Sequence, residues 1–170
     1  MAYTIIEGRV VSQPIAATET TIAADVPLGT IVRAKDPTYG EGEFIYLLGV
    51  ASTVVGSLVK YNATTYQTAL ITVANGANKG LPVGVAMSAN VASQYGWYQI
   101  SGNAVLKKTT VAVTPGVPIF ISATAGRIKV VASAGQQILG AQTANLTTVV
   151  TTTSTVVVTI NRPMTQGQIT

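Results

Sequence analysis

The residues able to do chemistry are few and unevenly placed. Six carboxylates, Glu7, Glu19, Asp25, Asp36, Glu41 and Glu43, all fall in the first 43 residues, and the chain has no histidine and no cysteine. A Ser-His or Cys-His nucleophile pair, a Cys/His zinc site and a disulfide framework are therefore excluded. Glycosidic-bond cleavage and Mg²⁺-dependent chemistry normally need paired carboxylates, which only the N-terminal quarter can supply. Three of the acids lie in Asp36-Pro-Thr-Tyr-Gly-Glu-Gly-Glu43. Their oxygens could hold Ca²⁺, but the spacing is not that of an EF-hand loop. The Pro/Gly content reads instead as a turn with solvated acids. Gly40-x-Gly42 lacks the third glycine of a dinucleotide fingerprint and precedes a strand. No catalytic, cofactor-binding or metal-binding residue is expected.

The bases have the opposite distribution. Residues 44–170 carry Lys60, Lys79, Lys107, Lys108, Arg127, Lys129 and Arg162 and no acid, a charge of +7 against −3 for residues 1–43. Tyr61, Tyr66, Tyr95, Trp97 and Tyr98 lie in the same region. Bases interleaved with aromatics can form a single-strand nucleic-acid groove. Seven bases over that length make a thin one, so a single-strand-binding barrel is kept only as an alternative. Asn62-Ala-Thr64 and Asn145-Leu-Thr147 match the glycosylation pattern, but threonine is so frequent here that both read as accidental.

The elements that must position these groups are strands. Thr, Val and Ala supply 25, 23 and 22 of the 170 residues, and the first two are β-branched. Helical periodicity is nearly absent, and short apolar runs recur between turn residues. Strands are expected over 4–11, 29–34, 43–50, 57–62, 66–72, 81–87, 95–101, 104–113, 117–122, 127–132, 137–143 and 155–161. Asn75-Gly76, Ser101-Gly102-Asn103, Pro115-Gly116 and Ala125-Gly126 supply the turns. The fold class is all-β: a single-domain, jelly-roll-like sandwich or barrel of short antiparallel strands. The least polar stretch, 44–59, is interrupted by glycines and hydroxyls and is short for a bilayer span. Met1-Ala2-Tyr3-Thr4 has no basic start to a secretory leader. A soluble protein made in the cytoplasm is expected.

Residues 1–27 read as an N-terminal arm or an ordinary first strand, 28–161 as the all-β domain and 162–170 as a C-terminal tail. An internal duplication is also visible. Gly56-Ser-Leu-Val-Lys-Tyr-Asn-Ala-Thr-Thr aligns with Gly116-Val-Pro-Ile-Phe-Ile-Ser-Ala-Thr-Ala at an offset of 60. Leu81-Pro-Val-Gly-Val-Ala aligns with Gln137-Ile-Leu-Gly-Ala-Gln at 56, and Trp97-Tyr-Gln-Ile with Val157-Val-Thr-Ile at 60.

The run from Asp36 through Gly49-Val-Ala-Ser-Thr-Val-Val-Gly-Ser-Leu-Val59 resembles small virion proteins of tailed bacteriophages. Val83-Gly-Val-Ala, Gly96-Trp-Tyr-Gln-Ile-Ser-Gly102 and Thr114-Pro-Gly-Val-Pro-Ile-Phe-Ile-Ser-Ala-Thr-Ala-Gly126 resemble the capsid decoration, or cement, proteins of such phages. The resemblance covers roughly residues 28–161 and rests on structural glycines and apolar positions. It implies an all-β module on the outer capsid that reinforces contacts between capsomers. The implied partner is the major capsid protein; a homo-oligomer (dimer or trimer) of the chain itself and no membrane are expected, with a nucleic acid disfavoured and kept only as the alternative above. Interface anchors are expected at Tyr3, Ile5, Ile6 and Arg9 in the arm and at Arg33 and Lys35. Another virion part, a tail, fibre or receptor-binding module, is the alternative within the same class.

Overall fold

The computed structural model describes residues 2–5, 15–18, 20–22, 24 and 26–169, with side chains from residue 15 onward. Among these residues, twelve strands and one helical turn follow in chain order. They are β1 (Ala2–Ile5), β2 (Ile15–Ala16), β3 (Ile31–Asp36), β4 (Gly40–Leu48), β5 (Leu58–Tyr61), β6 (Thr68–Leu70), α1 (Val73–Gly76), β7 (Val83–Ala86), β8 (Tyr95–Lys107), β9 (Pro118–Ile121), β10 (Ile128–Lys129), β11 (Gln137–Thr143) and β12 (Thr155–Thr165). The all-β expectation holds: the strands form one curled antiparallel sheet, a half-barrel.

The duplication organises the sheet. β8 and β12 lie antiparallel at its centre, and Ser101 sits opposite Asn161, the residue sixty positions on. From that point the order runs β8-β7-β5-β6 in one direction and β12-β11-β9-β10 in the other. Individual hydrogen bonds repeat with it. Gly56 N–H donates to Ala86 O at 2.9 Å, and Gly116 N–H to Thr143 O at 3.0 Å. Asn62 N–H donates to Gln67 O at 3.1 Å, and Ser122 N–H to Arg127 O at 3.3 Å. Each half curls until its fourth segment meets its first strand: Leu48 bridges Gln67 in parallel, and Lys108 bridges Ile128. β8 belongs to both halves. Its N-terminal part pairs with β4 and β7, and its C-terminal part pairs with β12.

Alternation of side chains across the strands creates three cores. Phe44, Tyr46, Met87 and Trp97 point to one side of the β4/β8 layer, where Ile15, Val26, Val32 and Ala34 cover them. Ile45, Leu47, Tyr98 and Ile100 point to the other side and meet Val59 and Ala86. Leu58, Val83 and Val85 on the far face of β5/β7 join the second half's Leu106, Ile119, Ile121, Ile138 and Val158.

Three local readings are corrected. Ser101-Gly102-Asn103 is not a hairpin turn, because the chain runs on through Gly102 (φ 94°) as one 13-residue strand, paired without a break to β12 and with a bulge against β4 at Ile100. The Gln99 amide holds the backbone on both sides of Gly102, donating to Ser101 O at 3.0 Å and Asn103 O at 3.1 Å. Asn75-Gly76 ends a helical turn and not a left-handed one. Gly76 is small because a Cβ there would come within 2.7 Å of Ile71 Cγ1. The tail expected from residue 162 begins later, since β12 runs to Thr165 past Arg162 (φ 42°).

Candidate binding surface

The acidic run does not converge on one point. Asp36 is 5% exposed, and its Oδ1 accepts the N–H groups of Thr38 (2.7 Å) and Tyr39 (2.9 Å), closing the β3–β4 turn. Glu41 pairs with Arg33 at 3.7 Å, and Glu43 with Arg162 at 2.9 Å. Among the described residues no group of three or more acid, histidine or cysteine side chains could hold a metal ion.

Three of the seven bases of the body donate to its own backbone, and a fourth to a hydroxyl. Lys60 Nζ donates to Asn75 O at 3.1 Å, and Arg127 Nη1 to Lys108 O at 3.1 Å. Lys129 Nζ reaches Ser133 Oγ at 2.8 Å. Lys108 is 1% exposed, and its ammonium donates to the carbonyls of Thr109 (3.3 Å), Val111 (2.8 Å) and Val150 (3.1 Å). Burial pushes Lys108 below the usual lysine value; three carbonyl acceptors favour the ammonium and oppose that shift. The aromatics are mostly core. Tyr46 packs on Trp97 with ring centroids 5.0 Å apart and stacks on Tyr95 at 6.3 Å. Both asparagines of the glycosylation-like patterns hold turns: Asn62 Oδ1 accepts from Thr64 N–H (2.8 Å), and Asn145 Nδ2 donates to Thr147 O (2.7 Å).

What remains as a recognition surface is the outward face of β3 and β4. Alternation on β3 turns Ile31, Arg33 and Lys35 outward. Their cross-strand neighbours are Ile45, Glu43 and Glu41, so a mixed-charge ladder runs along the hairpin. It extends through the Arg162–Glu43 pair, which joins residues 119 apart in sequence. Tyr61 and Tyr66 close the other side, packing against the core that contains Ile45. Burial raises the Tyr61 hydroxyl above its usual value, the Arg162 charge partly offsets this, and Tyr66 adds to it. Ile31 stays 43% exposed. Tyrosine, arginine and an exposed aliphatic side chain are the composition of a protein-recognition patch.

Of the anchors expected from sequence, Arg33 and Lys35 lie on this face. Tyr3 and Ile5 are described by backbone alone: β1 pairs antiparallel with β3 of the same chain, Ile5 opposite Ala34, and with β2, Tyr3 opposite Ile15. Ile6 and Arg9 lie outside the described residues. The sequence reading missed Ile31, Tyr61, Tyr66 and Arg162. The duplication held a signal for two of them. Tyr66 (φ 57°) and Arg162 (φ 42°) occupy left-handed positions whose counterparts are Gly126 (φ 69°) and Gly102 (φ 94°). Large side chains at positions suited to glycine are candidates for function.

No known protein family, curated protein or solved structure matches this chain. The duplicated half-barrel and the Tyr–Arg face therefore carry the functional reading. No helix among the described residues is long and apolar enough to cross a membrane.

Proposed function

We propose that this chain is a structural virion protein that binds the outer surface of a major capsid shell and cements contacts between capsomers. It would be assembled in the host cytoplasm and function as a homo-oligomer. The observation that supports this reading is the β3/β4 face, where Ile31, Arg33, Tyr61, Tyr66 and Arg162 surround a ladder of opposed charges. Such a face recognises a protein surface through aromatic and guanidinium anchors, with the charges fixing register. Modest affinity per copy suffices, because many copies on one shell act together. The internal commitment of Lys60, Lys108, Arg127 and Lys129 supports a protein partner over a nucleic acid, which needs free cations along a groove.

The test is co-sedimentation with capsids stripped of the protein. Arg33→Ala with Tyr61→Ala should weaken binding by at least about ten-fold, a loss of roughly 1.4 kcal/mol, while the melting temperature of the free protein changes little. Wild-type levels of capsid binding by the double variant would overturn the assignment to this face. Failure of the wild-type chain to bind capsids would overturn the function.

A further inference from the structure

The two halves of the sheet differ most at β11. Between Gln137 and Gln142, β11 spends five residues where its partner β9 spends two, from Phe120 to Pro118. Its pairing with β12 also shifts, between Leu139 and Ala141. Gly140 (φ 70°) sits at the centre of the bulge, where a Cβ would come within 2.7 Å of Asn161 O. The counterpart strand β7 is regular and buried throughout. Bulges that one half keeps and the other lacks re-aim side chains and often border functional sites.

Two concavities flank this bulge on the outward face, about 380 Å³ and 410 Å³ in volume, and share Gln137. Both volumes fall in the range of small-molecule sites. No charged side chain lines either one. One is lined by Gln142, Thr159 and Asn161, the other by Phe120 and Gln166. Phe120 faces outward, because its neighbours Ile119 and Ile121 point into the core.

The amides here are distinctive because they are unspent. Elsewhere the Asn and Gln side chains mostly hold backbone: Gln67 donates to Gly49 O, Gln99 to two carbonyls, Asn75 to Leu70 O, and Gln94 accepts from Val91 N–H. Gln137, Gln142 and Asn161 make no side-chain hydrogen bond among the described residues. Gln166 uses only its carbonyl oxygen, at 3.4 Å from Gln137 N–H. Each free amide offers two N–H donors and a carbonyl acceptor.

We propose that this groove binds a neutral oligosaccharide. Uncharged donors and acceptors at several points match the vicinal hydroxyls of a sugar, each of which both donates and accepts. Phe120 and Pro118 present flat apolar surface to the C–H face of a pyranose ring. The Lys129 ammonium reaches Ser133 of the second concavity but is spent on that hydroxyl; no charged side chain lines the first, which disfavours an anionic ligand there. A peptide adding as a strand is disfavoured because β11 is hydrogen-bonded on both edges, to β9 and β12. Asn161 borders the β3/β4 face, with Ser101 between it and Glu43, but the sugar proposal does not depend on the capsid proposal.

The test is an NMR titration of the ¹⁵N-labelled full chain with maltohexaose, cellohexaose and chitohexaose, each taken to millimolar concentration, with hexaalanine as the peptide control. At least one saccharide should shift the side-chain NH₂ signals of Gln137, Gln142 and Asn161 saturably. Gln142→Ala with Asn161→Ala, both at exposed positions, should weaken that binding at least about ten-fold, the equivalent of one lost hydrogen bond, with the melting temperature kept. The proposal is overturned if no saccharide shifts these signals, if the shifts map elsewhere, if they survive the double substitution, or if hexaalanine alone produces them.

Discussion

Tyr98 carries its hydroxyl into the core. It is fully buried, and burial pushes its hydroxyl up to about 12. Thr68 and Asn90 are the polar side chains nearest the hydroxyl and pull the other way more weakly; neither meets full hydrogen-bond geometry. In the unfolded chain the phenol ionises near its ordinary value of 10, while the folded chain keeps its proton. The stability linked to Tyr98 is thus fully present below pH 10 and is lost as pH rises toward 12. The loss should reach roughly 2 to 3 kcal/mol, and Tyr98→Phe should flatten that part of the curve. Urea unfolding at stepped alkaline pH measures it, and an unchanged slope in the variant would refute the assignment to Tyr98. Lys108 is a second case. Lys108→Met should cost about 1 to 3 kcal/mol, because three loop carbonyls lose their donor under cover. Equal urea midpoints for the variant and the parent would show those carbonyls to be solvated. Neither role was legible in the sequence. Lys107 and Lys108 read as a basic pair, and only the alternation of β8, which turns Lys107 partly outward and Lys108 inward, separates them. The acids were easier: a proline and two glycines around Asp36 already announced a turn.

At the scale of elements, the N-terminal segment is attached to its own chain. Ile15 is 1% exposed and Val26 8%, and both sit on the aromatic face made by Phe44, Tyr46 and Trp97. The two readings of residues 1–27, a free arm or a first strand, could not be separated in sequence, since pairing of an isolated apolar run depends on which edge is open. Here the edge is β3, and β1 takes it. Truncating residues 1–27 should leave a folded body, because the other two cores contain none of these residues. It should also expose Trp97, the only tryptophan. The expected signature is a red-shifted emission maximum and a loss of roughly 3 kcal/mol or more, from the burial of two aliphatic side chains. An unshifted emission would mean that the segment does not cover Trp97. Gly29 is the joint of this segment. Its φ is 83°, and a Cβ there would collide with the Tyr66 ring. The joint is fixed to β4 by Gly29 N–H donating to Tyr46 O at 2.8 Å. Strand existence was legible nearly everywhere because apolar runs and turn residues agree. Strand continuity was not. A glycine flanked by Ser and Asn looks the same whether the chain reverses or runs on, and what decides here is long-range pairing with β4 and β12.

For the whole molecule, the duplication was readable because the turn glycines and the strands after them recur at one offset. That the copies are interlocked was not readable, since it depends on how β8 is shared. β8 supplies the last strand of the first half and the first strand of the second. The largest core also mixes the halves, with Leu58, Val83 and Val85 from the first packed among Ile119, Ile121, Ile138 and Val158 from the second. A half cut away would lose part of its sheet and expose those apolar side chains together; the first half keeps the core around Ile45 and Tyr98, but the second has no core free of the first. Repeat arrays whose units touch only as neighbours can unfold stepwise. This chain should instead unfold in one cooperative transition. Trp97 fluorescence reports the first half, and far-UV circular dichroism reports both. In urea the two should give one midpoint and one slope. Separate midpoints would show that the halves are independent folding units and that the shared strand does not couple them. The same coupling predicts the behaviour of Ile138→Ala, placed in the second half. It should cost about 2 to 5 kcal/mol and lower the midpoint seen by Trp97 as much as that seen by circular dichroism.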